Sequence, residues 1–330
     1  MRGTQILPCV AVVALCLGMP GTAPAIESRQ LTFMGLDQAA PGSPAWSPDG
    51  SHVACGSIYI DPAHPSLVDG WIDIVRVSDG AFSTFPSQGA ACVSEGVASE
   101  PDWSPTGDRI VFNCFNRSPL WLGSVAETLA TQLSAATSIK PSWSPDGTQI
   151  AVTREDGIVL LPVAGGLPRS LTGGPDSSPA WSPDGNWIAF SSSRNGRRDI
   201  WIVPAAGGTP LPLNNDLAAD DNPSWSADGA LIAFDSDRSG NWDVWVIRVA
   251  NGALSQVTTD PGVDRDPDWS PDGSQIAFVS ERSGWPNLWI ASDLRTVSVA
   301  PVTWSQVKRL YGGSSSALSG PPDASPPRGR

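Results

Sequence analysis

The chain has 330 residues, with 33 acidic and 20 basic side chains and a net charge of −13. So acidic a balance argues against nucleic acid and anionic lipid surfaces as partners. It fits a cationic partner, bound cations or plain solubility.

The first residues read as an export signal. Arg2 flanks an uncharged apolar run over residues 6–19, and Ala23-Pro24-Ala25 supplies a small-residue cleavage site. The run is short for a membrane span, and Leu15 before Cys16 is not the small residue of a lipoprotein anchor. Residues 1–25 are therefore expected to be removed after Ala25, leaving a periplasmic or secreted protein with no transmembrane segment. Cys9 and Cys16 leave with the signal. Cys55, Cys92 and Cys114 then enter an oxidising compartment, where at most one pair forms. Cys92 precedes the second repeat described below, and Cys114 lies two residues beyond Phe112 on a strand rising toward the same face, which makes Cys92–Cys114 the expected disulfide.

Six near-copies of one phrase begin at Pro44, Pro101, Pro141, Pro179, Pro223 and Pro267. Their spacing averages about 45 residues, that of four-stranded propeller blades. In Ser182-Pro183-Asp184-Gly185, Ser opens a tight turn, Pro presets φ, Asp tolerates the third position and Gly ends it. The turn joins an inner strand ending at Trp181 to a second strand carrying Trp187 and the large-small-large triplet Ile188-Ala189-Phe190. Such period-two alternation suits sheets stacked on both faces. Thr106 replaces the turn Asp in the second copy and Ala227 the turn Pro in the fifth; Cys55 stands where Phe190, Phe234 and Phe278 recur and is expected to be a buried thiol. Third strands follow around Trp201, Trp245 and Trp289, with short outer strands at residues 170–172 and 256–258. Residues 29–32 and 300–303 both resemble an outer strand, and either one completes the sixth blade. The expected fold is an all-β, six-bladed propeller of four-stranded antiparallel blades over residues 26–311, with a disordered Gly/Ser/Pro-rich tail at 312–330.

The phrase P-x-W-S-P-D-G-x-x-I-A-F, followed by S-x-R-x-G and x-I-W, is carried most fully by residues 179–203 and 267–290. It resembles the WD40-like (PD40) repeat of the TolB-type six-bladed propellers over about residues 29–303. Similar repeats occur in propellers of prolyl-oligopeptidase-like peptidases and of some polysaccharide lyases, so the resemblance implies a fold more than a role. TolB is periplasmic, and its propeller docks the lipoprotein Pal. It also carries a separate N-terminal α/β domain, for which the stretch before the first repeat is too short.

Residues just before each inner strand are expected to line the channel entrance: Glu100, Lys140, Asp176, Asp220, Asp221, Asn222, Asp264, Arg265 and Asp266. This rim is mainly acidic, suited to the basic groups of a partner or to a hard cation such as calcium; carboxylates that only cap turns are the plainer reading. Arg194, Arg238 and Arg282 recur at one blade position, where they either pair with the acidic loops or fork onto a carboxylate ligand. Trp242 and Trp285, in loops before third strands, either contact glycans or cover the core. Asp61 and His64 lie in an insertion in blade one. The segment starting at Asp235 begins like an EF-hand loop, but its twelfth position is Val246 where a Glu is required.

Two histidines, His52 and His64, leave no Ser-His-Asp triad or multi-histidine metal site, and no G-x-S-x-G elbow occurs. The expectation is a monomeric, non-enzymatic scaffold, without a required cofactor, that binds an envelope protein or peptide at the acidic rim. The alternative is a carbohydrate-binding or lyase-type propeller working through carboxylates, Arg and calcium.

Overall fold

Proline inside a strand forces the main feature of this fold. The P-x-W phrase lies on the innermost strand of every blade, where a residue without an N–H is tolerated only at an edge or a bulge. The computed structural model describes residues 26–32, 40–60, 68–85, 97–115, 119–127, 130–292 and 294. The expected signal (1–25), the tail (312–330), residues 300–303, Asp61, His64 and Cys92 lie outside them. The six inner strands are Ala40–Trp46, Val97–Trp103, Ile139–Trp143, Asp176–Trp181, Asp220–Trp225 and Asp264–Trp269. In each, the pairing register to the second strand slips just ahead of the P-x-W, as between Ser177 and Ala180. One extra residue is accommodated, the signature of a bulge.

Beyond the bulge the blades are regular. The fourth runs from Asp176–Trp181 through Trp187–Ser192 and Asp199–Pro204 to Leu211–Pro212, all antiparallel. Blades one and two are further joined by a parallel bridge between Gly70 and Val97. Outer strands end two residues earlier than the sequence suggests, at Ser170 and Gln256. The reason is a side chain: Thr172 Oγ1 accepts the Ile158 amide at 3.1 Å, and Thr258 Oγ1 accepts that of Val244 at 2.9 Å. A hydroxyl thus replaces the ladder.

The sixth blade is closed by the N-terminal strand Glu27–Gln30, paired antiparallel to Asn287–Ser292. Thr32 Oγ1 accepts the Leu288 amide at 3.0 Å, as its counterparts do in other blades. The core lies between blades, where Phe112, Phe190, Phe234 and Phe278 are fully buried. Cys55 occupies the same position in blade one, and burial, helped by the neighbouring Asp73, pushes its thiol up to about 12. Cys114 is disulfide-bonded.

The Ser-Pro-Asp-Gly turns do more than reverse the chain. Ser182 Oγ donates to Asp184 Oδ1 at 2.6 Å and accepts the Trp187 amide at 2.9 Å, a pattern repeated around the ring. In blade two, Asp108 replaces the missing turn Asp as acceptor, 2.9 Å from Ser104 Oγ. Each turn Gly also faces the Pro of the preceding blade. A methyl group at Gly147 would stand 3.4 Å from Pro105 Cγ, and one at Gly50 3.6 Å from Pro271, which closes the circle. The exception is Gly273, which faces Ala227.

Candidate binding channel

The six bulges place one residue per blade in the left-handed region: Ser43, Glu100, Lys140, Ser178, Asn222 and Asp266, with φ between 43° and 52°. A side chain there is uncommon, and each of these precedes a Pro, which restricts it further. Such strain is stable only when the surroundings hold it. Neighbouring blades supply the hold: the Lys140 amide donates to Glu100 Oε2 at 2.8 Å, and that of Ser178 to Thr153 Oγ1 at 2.9 Å. The result is a ring of six polar side chains at one level of a central channel of about 440 Å³.

Two residues further along each inner strand lies a second tier: Ala45, Asp102, Ser142, Ala180, Ser224 and Asp268. These side chains stitch blades together. Asp102 Oδ2 accepts the Trp143 amide at 2.6 Å, Ser142 Oγ that of Trp181 at 3.2 Å, Ser224 Oγ that of Trp269 at 3.1 Å and Asp268 Oδ2 that of Trp46 at 2.9 Å. Burial pushes Asp102 up to about 8, the Trp143 amide offsets part of this, and Asp268 adds a smaller upward push. Burial likewise raises Asp268 to about 6, against hydrogen bonds from Trp46 and Ser224.

The channel is electrostatically lopsided. Blades two and six each contribute two carboxylates, Glu100 with Asp102 and Asp266 with Asp268. Between them blade one presents only Ser43 and Ala45. Lys140 is the one basic residue among those lining the channel. Its Nζ lies 3.0 Å from Asp266 Oδ1, 3.1 Å from Ser43 Oγ and 3.9 Å from Glu100 Oε1. Burial alone would lower its pKa, but Asp266 and Glu100 outweigh that and raise it, so Lys140 is a fixed cation. Behind Asn222, Asp235 is buried with Oδ2 accepting from the amide at 3.2 Å and Oδ1 unpartnered. Burial, then Asp266 and Asp221, raise it well above the usual carboxylate range.

Of the expected rim residues, Glu100, Lys140, Asn222 and Asp266 line the channel. Asp176, Asp220 and Asp264 do not; the expectation that they face a partner is corrected here. Their side chains are fully buried in ion pairs with Arg194, Arg238 and Arg282 respectively. The reason is the bulge, which turns the strand so that, of the residues ahead of the Pro, the pre-proline residue lines the channel and the strand's first residue does not. Each Arg stacks on a Phe and a Trp, as Arg238 does at 5.5 Å from Phe234 and 5.2 Å from Trp245, which makes the three arginines structural. Asp221 pairs with Arg198. Arg265 stacks on Trp242 at 4.5 Å, and Trp285 is half exposed. Asp102 and Asp268 were missed by the sequence reading. Their signal is the middle letter of P-x-W, two positions beyond each pre-proline residue and thus on the same face.

The inner strands of six blades ring a polar, lopsided channel, the architecture of a β-propeller. Residues 168–243 match the TolB beta propeller domain family, PD40, and the described residues fold as a six-bladed β-propeller. It is similar to a TolB-type protein of Agrobacterium tumefaciens at 28% identity, covering 61% of this chain and 73% of that one with a TM-score of 0.55. It is also similar to TolB of Acinetobacter baumannii at 19% identity, covering 78% of this chain and 64% of that one with a TM-score of 0.56. An oligogalacturonate lyase of Vibrio parahaemolyticus shares the fold at 9% identity, covering 82% and 97% of the two chains with a TM-score of 0.53. No curated protein matches the chain. Among the described residues no helix is long and apolar enough to cross a membrane.

Proposed function

We propose that this chain is an exported scaffold of the cell envelope that captures a protein or peptide partner by seating a basic group in the acidic side of its channel. The observation that carries this reading is the arrangement of Glu100, Asp102, Asp266 and Asp268 on either side of the small residues Ser43 and Ala45. Lys140 is already engaged with Glu100 and Asp266, so Asp102 and Asp268 have no cation of their own. A partner's ammonium or guanidinium entering beside blade one gains charge-assisted hydrogen bonds in a partly desolvated site. The likeness to TolB supports a protein partner and a periplasmic place of work.

The test is crosslinking capture from the native envelope by tagged protein, beside Asp266→Asn and Asp268→Asn. Each replacement keeps shape and an acceptor oxygen while removing charge. One protein enriched by the wild type and lost with both variants, in a salt-sensitive manner, is the expected result. Enrichment that survives both substitutions, or capture of nothing, overturns the reading.

A further inference from the structure

Blades four and five provide an internal comparison at the first residue of the third strand. In blade five this residue is Asp243, buried but well supplied with donors. Ser239 Oγ donates to Oδ2, Gln256 Nε2 to Oδ2 at 3.0 Å and Thr258 Oγ1 to Oδ1 at 3.3 Å. In blade four it is Asp199, equally buried at 1% exposure; the Asp216 backbone amide supports its carboxylate, but the side-chain donors have been replaced. Asn195 stands in place of Ser239, Pro212 in place of Gln256 and Asn214 in place of Thr258. The Asn214 amide turns instead to Asp220 while its Oδ1 accepts the Ile200 amide at 2.9 Å. Asp199 Oδ1 is left buried without a hydrogen-bond partner.

An orphaned carboxylate oxygen is costly to bury unless something compensates it. The surroundings do not supply a cation. Arg238 serves Asp220 at 2.7 Å and Asp216 at 3.2 Å, so one guanidinium stands against three carboxylates. Arg197 borders the same space, and among the described residues Asp216 is paired with Arg238 rather than with Arg197. What the surroundings do supply is oxygen. Asp199 opens onto a surface pocket of about 390 Å³ lined by Asn195, Asn215 and Asp216.

We propose that this pocket holds a hard divalent cation of the calcium class, ligated by Asp199 Oδ1, an Asp216 carboxylate oxygen and the side-chain carbonyls of Asn195 and Asn215, with water completing the shell. Two carboxylates and neutral carbonyls are the ligand set such ions take, and a surface site with two charges binds in the range of extracellular modules. This site lies away from the channel, so it stands or falls independently of the proposed partner.

The experiment uses chelator-stripped protein titrated with calcium chloride, read by equilibrium dialysis and by thermal unfolding. One ion per chain is expected, with Tm rising by about 5 °C at a hundredfold excess over Kd. Asp199→Asn should weaken binding at least about tenfold. Asn195→Ser restores the hydroxyl donor that Asp243 enjoys in blade five; it should raise the Tm of the ion-free protein and weaken calcium binding as well. The second variant carries the test if the first does not fold. No binding by wild type up to about 10 mM calcium, or binding unchanged in both variants, overturns the proposal.

Discussion

The ammonium of Lys140 lies 3.0 Å from Asp266 Oδ1, joining blade three to blade six across the channel between residues 126 positions apart. A second contact to Ser43 at 3.1 Å brings in blade one. With Glu100 of blade two at 3.9 Å, a single side chain ties four blades at the level where the six bulged residues converge.

Lys140→Met should lower stability by about 2 kcal/mol or more, because Glu100 and Asp266 lose their shared cation. Urea unfolding of the wild type and the variant checks this; an unchanged midpoint contradicts the electrostatic account.

Asp102 stands at about 8 in the folded protein against an ordinary 3.8. A raised carboxyl pKa means that the folded state holds the proton more tightly, so its contribution to stability is full below about 4 and fades as pH rises through about 8. Asp102→Asn keeps an acceptor for the Trp143 amide and removes the titration. Between pH 4 and 8 the wild type should therefore lose stability relative to this variant. Parallel profiles would show that Asp102 ionises normally.

Five of the six turns carry Pro at the second position, and blade five carries Ala227. Ala227→Pro should stabilise the protein by about 0.5–1 kcal/mol by narrowing the unfolded ensemble and by giving Gly273 the proline contact that the other turn glycines have. Thermal unfolding reads the gain directly, and a fall in Tm would show that the fifth turn departs from the others in its backbone.

Arg238→Met should cost about 3–5 kcal/mol, because Asp220 is fully buried and Asp216 loses its partner too. Arg238→Lys should recover only part of this, since an ammonium cannot span Asp220 and Asp216 with separate nitrogens while stacking on Phe234 and Trp245. Denaturant midpoints for the three proteins rank the effect.

The blades were legible because each element of the phrase has a local physical job. Ser-Pro-Asp-Gly specifies a turn, Ile-Ala-Phe a doubly buried strand, and both repeat. The channel was half legible. Glu100, Lys140 and Asp266 were found by their position before the strand's Pro, yet Asp176, Asp220 and Asp264 were placed beside them in error. Nothing local distinguishes an inward carboxylate from one paired to Arg194 or Arg238; the difference arises from the bulge, a pairing between strands. The closing strand was undecidable for a related reason. Residues 29–32 and 300–303 have similar composition, and only the pairing of Glu27–Gln30 with Asn287–Ser292 separates them.

That pairing also sets an order of events. The first strand of the ring to be synthesised finds its partner last, because Glu27 meets Ser292 across 265 residues. Until the final blade is delivered the first strand has no neighbour, and early blades wait with an open edge exposed. Closure of the ring thus comes after synthesis of its last blade, and any interruption short of Ser292 leaves a chain that cannot seal itself.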